Sequence, residues 1–346
     1  MSSSLTRVIV HGPGGYERLQ LEPATRREPA RGELRIRVRA IGVNYADCIV
    51  RRGLYASARE YVGWPITPGF EVAGEIEAVG EGCEGWRVGE PVFAVTRFGG
   101  YTSVLTVPAN QVFRLPESLS PAQAAALPCV FLTAWYALHR LGDARAGDYV
   151  LIHSAAGGVG STLVQLAKRA GCIPIGVVGA SHKVEAARAL GAAAVIDKSR
   201  QPLWTEAERH APEGYALVCD ANGVETLGDS YQHLAPTGRL IVYGFHTMLP
   251  RDGRTRWLRL AWNYLRTPRF NPLKLTQENR SVMGFNLSYL FDRNDLLHEG
   301  VELMLTALAE GTFKAPAITC YPLQDVARAH RDIESGQTVG KLVLEA

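Results

Sequence analysis

Over the first third of the chain, apolar and polar positions alternate in short runs punctuated by glycine and proline. Leu34-Arg35-Ile36-Arg37-Val38-Arg39-Ala40 sets apolar side chains on one face and arginines on the other, the period of a half-buried strand. Residues 71–79 alternate likewise, and residues 7–10, 91–95 and 103–107 complete a β-rich set. The texture changes at Ser120-Pro121, a helix start followed by an alanine-rich stretch to Leu127. From there to about residue 290, strand-length apolar runs alternate with helix-period segments. Strands are expected at 149–153, 194–197, 216–220, 239–244 and 281–286, with helices at 133–141 and 183–190. That alternation predicts an α/β unit built on a doubly wound parallel sheet. Amphipathic helices at 299–310 and 323–335 and a strand at 340–344 follow.

Residues 149–183 add chemistry to this pattern. After the first strand comes Ala155-Ala156-Gly157-Gly158-Val159-Gly160, an A-x-G-x-x-G spelling of the dinucleotide fingerprint. A helix with apolar Leu163, Leu166, Ala167 and Ala170 follows and stops at Gly171. The glycines let backbone approach a pyrophosphate, whose charge meets the free N–H groups and positive end of the helix. About 20 residues on, an NAD site carries an acid for the ribose 2′-hydroxyl. This chain reads Gly179-Ala180-Ser181-His182-Lys183 instead, so the expected cofactor is NADPH, with Lys183 and Ser181 at its 2′-phosphate.

Composition narrows the class further. A length of 346 residues suits two domains, and 47% hydrophobic with 21% charged residues is a globular balance. A net charge of +3 is too small to imply nucleic acid. Cys48, Cys83, Cys129, Cys172, Cys219 and Cys320 show no C-x-x-C spacing, which argues for reduced thiols over a disulfide frame or zinc site. No secretory leader is visible and no apolar stretch reaches the ~18 residues of a spanning helix. A cytoplasmic protein is expected. Residues 251–280 stand apart: Arg251, Arg254, Arg256, Arg259, Arg266, Arg269, Lys274 and Arg280 face only Asp252 and Glu278, interleaved with Trp257, Trp262, Tyr264 and Phe270. Either this segment contacts an anionic surface, membrane or acidic ligand, or it covers a substrate mouth or dimer seam.

Several motifs together resemble the medium-chain dehydrogenase/reductase superfamily, in its zinc-free quinone oxidoreductase branch. They are Gly42-Val43-Asn44-Tyr45-Ala46-Asp47, Arg52-Gly53-Leu54-Tyr55, Pro68-Gly69-Phe70-Glu71-Val72-Ala73-Gly74, Ala126-Leu127 with Thr133-Ala134, and residues 155–160. Within the branch, Gln277-Glu278-Asn279-Arg280-Ser281-Val282-Met283-Gly284-Phe285-Asn286-Leu287-Ser288-Tyr289-Leu290 is similar to the vesicle amine transport protein homologues. The resemblance implies a Rossmann doubly wound parallel sheet inserted into a β-rich, GroES-like catalytic domain. Residues 1–124 and 291–346 would form the catalytic domain and 125–290 the NADP-binding domain. It also implies a homodimer paired through the strand at 281–286, and an active site in the cleft between domains. Zinc-dependent relatives place a Cys where this chain has Asn44 and a His where it has Phe70, and often carry a four-cysteine lobe after the region of Pro91. Zinc needs three or four such ligands, so no metal is expected.

Without a Lewis acid, carbonyl reduction lacks a means of stabilising an alkoxide. Conjugate reduction is easier: hydride reaches an enone β-carbon or a quinone, and charge spreads into an enolate or hydroquinone. The expected activity is zinc-independent, NADPH-dependent hydride transfer to a quinone or α,β-unsaturated carbonyl. The alternatives are an enoyl thioester reductase and a weakly catalytic, membrane-associated NADPH-binding protein. By resemblance, Asn44, Tyr55, Thr133 and Tyr289 are the catalytic candidates. Asn44 either donates to the acceptor oxygen or caps the Asp47 turn; Thr133 either lies beside the nicotinamide carboxamide or bonds its own helix. The cofactor contacts would be Asn44, Thr133, Ala156, Gly157, Gly158, Val159, Gly160, Gly179, Ser181, Lys183, Lys198, Asn222, Gly244, Phe285, Asn286, Leu287 and Lys341. Tyr45, Tyr55, Tyr289 or water would supply the proton. Two positions depart from the branch, Ile49 and Lys198, where many quinone reductases carry tyrosines. Ile49 makes the pocket more apolar, and Lys198 either adds charge near the 2′-phosphate or is exposed.

Overall fold

The computed structural model describes residues 5–346. Strands β1 (Thr6–Ile9) and β2 (Gln20–Pro23) pair as an antiparallel ribbon. Next come β3 (Glu33–Val43), β4 (Glu71–Val79), β5 (Pro91–Val95), β6 (Val104–Pro108) and β7 (Val112–Arg114), antiparallel members of a seven-stranded sheet. The predicted alternation of β3 holds at its start: Leu34, Ile36 and Val38 are in the core, while Arg37 and Arg39 are exposed and reach Glu75.

A second sheet is built from β8 (Tyr149–Ile152), β9 (Ile173–Val178), β10 (Ala194–Asp197), β11 (Tyr215–Asp220), β12 (Leu234–Val242) and β13 (Ser281–Gly284). Its order is β10-β9-β8-β11-β12-β13 and every pairing is parallel. Helices cover both faces, so alternate side chains enter different cores: Val150 and Ile152 of β8 pack on one side and Leu151 on the other. The last strands, β14 (Ile318–Pro322) and β15 (Lys341–Glu345), return to the antiparallel sheet, where β15 pairs with β3.

The segment Pro121–Leu141 corrects one expectation. It is 21 residues of helix, long and apolar enough to cross a membrane by length and composition, and most of it is buried in the fold. It lies between the sheets, with Phe131, Leu132 and Trp135 packed into the same core as Val301 and Met304 of the helix Asn294–Ala309. Close approach requires Gly300, where a Cβ would stand 2.5 Å from Leu132.

Two further contacts join the sheets. Gly340, just before β15, bridges Gly157 in parallel and donates its N–H to Ala156 O at 2.9 Å. Its φ is +71° and a Cβ there would stand 2.1 Å from Ala317 O, so only glycine fits. Residues 245–254, after β12, form a strap across to the antiparallel side. Arg52 Nη2 donates to Pro250 O at 2.9 Å and Tyr45 Oη to His246 O at 3.3 Å.

Two buried histidines, His153 and His330, and the half-buried His246 give the fold a pH dependence. His153 lies beside Ser230 Oγ and Asp220, and burial lowers its pKa against the pull of Asp220. His330 sits between Arg51 Nη1 and Tyr101 Oη; burial, then Arg51 and Arg52, hold it well below the usual histidine range. Burial pushes His246 down to about 4. All three are neutral at pH 7. Unfolded histidines titrate near 6.5, so the unfolded chain takes up protons that the folded chain refuses. Their stabilisation is complete above about pH 6.5 and is lost progressively as pH falls below it. For His246 alone the shift corresponds to about 3 kcal/mol. The melting temperature at constant ionic strength is expected to fall between pH 7 and 4.5, and His246→Asn to flatten part of that fall. An identical fall in the variant would contradict this assignment.

Candidate active site

A cleft of about 260 Å³ opens between the sheets, with Ser154, Ala156, Gly157, Gly158 and Val159 on one wall and Val43, Asn44, Tyr45 and Lys341 on the other. The first wall is the glycine turn after β8. Ser154 adopts φ +56°, a left-handed conformation rare outside glycine, and its carbonyl accepts from Gly157 N–H at 2.9 Å. That folds the turn so tightly that a Cβ on Gly160 would stand 2.2 Å from Ser154 O. The helix Gly158–Arg169 therefore starts against the cleft. The N–H groups of its first turn have no partner within the helix, and its positive end faces the opening. An anionic diphosphate fits there.

The opposite wall is held by a buried network. Lys341 Nζ contacts Glu71 Oε1 at 2.7 Å, Asn44 Oδ1 at 2.6 Å and Val43 O at 2.9 Å. Asn44 Nδ2 donates to Glu71 Oε1 at 2.8 Å, and Glu71 Oε2 accepts from Cys129 N–H at 2.7 Å. Both charged groups are out of water, Glu71 at 0% and Lys341 at 3% exposure. Removing one partner of such a pair typically costs about 3–5 kcal/mol, because the other charge is left buried alone. The amide of Asn44 is thereby fixed in orientation, with one Nδ2 hydrogen outside the network. The capping alternative also holds, through the backbone: Asn44 N–H donates to Asp47 Oδ2 at 2.8 Å. Asp47 accepts from Gly69 N–H and Tyr101 Oη as well, and burial pushes its carboxyl up to about 7 against these donors and Lys341.

At the far end of the cleft stand Gly179, Lys183, Lys198, Asn222, His246 and Arg251. Lys183 Nζ donates to Gly336 O at 2.6 Å; burial first, then Arg251, lower its pKa. Ser181 requires a correction. Its hydroxyl donates to Asp197 Oδ2 at 2.5 Å, so it is engaged by a carboxylate that β10 brings alongside, rather than free for a phosphate. Lys341 is corrected too, since its amine is fully used by Glu71, Asn44 and Val43. Glu334 also lines the cleft, paired with Arg51 and Arg52.

Other expected residues lie away from this lining. Thr133 Oγ1 donates to Cys129 O at 2.7 Å, a bond within its own helix. Tyr55 Oη donates to Asn286 Oδ1 at 2.8 Å, and its ring meets Phe70 and Phe98 edge-on; burial pushes its hydroxyl up to about 12. Asn286 also accepts from Ser288 N–H and Oγ, so its side chain organises a turn. Phe285 packs between Tyr136 and Tyr243, Leu287 joins the core, and Gly244 lies against Ala221. Tyr289 is 39% exposed and donates to Glu60 beside Tyr61, which removes it from the catalytic candidates. Of the three tyrosines considered as proton sources, Tyr45 is the one on the cleft wall.

Sequence reasoning missed Glu71, Arg251 and Glu334. A signal for Glu71 existed at Gly42 on the neighbouring strand, where a Cβ would stand 2.3 Å from Glu71 Oε1. Among the described residues, no group of three or more His, Cys, Asp or Glu side chains is gathered to hold a metal ion. Phe70 is buried against Phe98, and all six cysteines are free thiols.

Residues 30–117 match the alcohol dehydrogenase GroES-like domain and residues 190–344 the zinc-binding dehydrogenase family. The chain is 33% identical to the human synaptic vesicle membrane protein VAT-1 homolog, over 97% of this chain and 85% of that protein. It is 31% identical to a 2-haloacrylate reductase from a Burkholderia species, over 97% of each. The structure superposes on Escherichia coli quinone oxidoreductase, solved in complex with NADPH, with a TM-score of 0.86 and 29% identity, covering 99% of this chain and 100% of that one. Fold, motifs and these likenesses agree: the chain belongs to the medium-chain dehydrogenase/reductase superfamily, in its quinone oxidoreductase branch.

Proposed function

We propose that the chain is an NADPH-dependent oxidoreductase that reduces a quinone or an α,β-unsaturated carbonyl without zinc. The observation that carries this reading is the cleft itself, with a glycine turn and helix N-terminus on one wall and the pinned amide of Asn44 on the other. The residues fit the cofactor: the turn suits its diphosphate, and Lys183, Lys198 and Arg251 suit its 2′-phosphate. Bound NADPH supplies the hydride from its nicotinamide. The chain's own residues then have three tasks. The walls would exclude water and hold the acceptor beside the cofactor. Asn44 offers its remaining Nδ2 hydrogen to the oxygen where charge develops, and Lys341 and Glu71 keep that donor from turning away. Tyr45 is the hydroxyl on the wall able to pass a proton, its Oη held by His246 O. The likeness to a 2-haloacrylate reductase favours a conjugated acceptor. Asn44 and Phe70, at positions where zinc-dependent relatives carry ligands, favour metal-free chemistry.

Mixing the protein with NADPH and a panel of quinones, enones and enoyl thioesters is expected to bleach the nicotinamide absorbance, with no loss after dialysis against a chelator. Silence across the panel with NADPH bound would sink the enzymatic reading, and zinc-restored activity after chelation would overturn the metal-free one. Turnover confined to the thioesters would assign the chain to the enoyl thioester reductases.

The chain also suits a cytoplasmic homodimer. The strand β13 is an edge strand of the parallel sheet, paired on one side only, and the helix Trp257–Arg266 exposes Trp257, Leu258, Trp262, Tyr264 and Leu265. An apolar face this large fits a second copy, whereas its flanking arginines fit an anionic membrane as the lesser reading. Light scattering is expected to give twice the 37.7 kDa chain mass; a monomer mass would reject the dimer.

A further inference from the structure

The cleft contains a concentration of positive charge that the fold leaves uncompensated. Lys183, Lys198 and Arg251 all line its far end, and none of them has a carboxylate within ion-pair distance among the described residues. Most arginines elsewhere are paired, including Arg35 with Glu28 and Glu77, Arg97 with Asp292 and Arg114 with Glu90. Glu334, the acid in the same lining, is already taken by Arg51 and Arg52. Lys183 and Arg251 meet over the same short stretch of backbone: Lys183 Nζ on Gly336 O at 2.6 Å, Arg251 Nη1 on Ser335 O at a long 3.4 Å. A Cβ on Gly336 would stand 3.5 Å from Arg251 Cζ, so the guanidinium lies directly over the chain there. Like charges gathered this way repel one another, and the arrangement gains most when an anion with several oxygens sits among them.

Arg251 differs from the two lysines in where it comes from. Lys183 and Lys198 follow β9 and β10 of the parallel sheet, whereas Arg251 is carried on the strap of residues 245–254. The antiparallel side holds that strap by Arg52 on Pro250 O and Tyr45 on His246 O, and packs Gly253 against Tyr16. Tyr45 follows Asn44 directly. A group bound by Arg251 therefore touches a loop anchored beside the site of chemistry.

Resting on the NADPH reading above, we infer that Arg251 is a specificity-determining residue, closing over the adenosine 2′-phosphate from the strap side while Lys183 and Lys198 hold it from the sheet. Its planar fork suits two phosphate oxygens, and its weak hold on Ser335 O leaves it free to engage them.

The test uses the adenosine half of the cofactor, so it does not depend on turnover. Binding of 2′,5′-ADP and of 5′-AMP is measured by calorimetry on the full chain, for wild type, Arg251→Gln and Arg251→Lys. Wild type is expected to prefer 2′,5′-ADP. Arg251→Gln should lose on the order of tenfold or more of that preference, the usual worth of a charge-assisted hydrogen bond, with 5′-AMP affinity unchanged. Arg251→Lys should keep part of it. An unchanged preference in Arg251→Gln overturns the inference while leaving the NADPH reading intact. Equal weakening of both ligands also overturns it, because Arg251 would then act only through the strap. A wild type that does not prefer 2′,5′-ADP refutes the NADPH reading, and this inference with it.

Discussion

The buried ion pair between Lys341 and Glu71 is the contact on which the rest of the arrangement depends. It joins the last strand of the chain to a strand from its first quarter, and it does so at the floor of the cleft. Two charges in so dry a place are tolerable only because each has further partners: Val43 O and Asn44 Oδ1 for the lysine, Asn44 Nδ2 and Cys129 N–H for the glutamate. The same bonds hold the Asn44 amide in one orientation. Preorganisation of the donor and attachment of the strand are thus one set of interactions.

One residue earlier, Gly340 hydrogen-bonds Ala156 in the glycine turn. The end of the antiparallel sheet thereby touches both walls, one through backbone and one through a side chain. The strap of residues 245–254 makes the reverse connection, leaving the parallel sheet and being grasped by Arg52 and Tyr45. These crossings add to the apolar core that runs from Phe93 and Val95 of the antiparallel sheet through Phe131 and Trp135 to Val150 and Ile152 of the parallel sheet, and together they give the cleft a defined shape.

Much of the fold was legible in the chain because its signals are local. Strand periodicity at Leu34–Val38, the glycine spacing at 155–160 and the stop at Gly171 each depend on neighbours a few residues away, and β3, the cofactor turn and the helix Gly158–Arg169 stand where those signals put them. The site was less legible because its partners are distant. Glu71 reads as one polar position in an alternating strand until β15 brings Lys341 against it. Arg251 reads as one of eight basic residues until the strap turns it into the cleft. Ser181 looked free for a phosphate because Asp197 lies on the next strand over, and Thr133 looked like a cofactor contact although its hydroxyl satisfies its own helix. The length of the helix Pro121–Leu141 was missed because its apolar stretch is broken by Gln123 and His139.

The central claim is that Lys341 acts on chemistry through Asn44. A double-mutant cycle on the single-turnover rate of hydride transfer at saturating NADPH tests it, using Asn44→Ala, Lys341→Met and the double variant, each confirmed as folded by circular dichroism. Both single variants are expected to slow transfer, and the double variant to be no slower than the worse of them, because the lysine's contribution passes through the amide that Asn44→Ala has already removed. Losses that multiply independently, or a folded Lys341→Met protein that transfers hydride at the wild-type rate, would contradict the account.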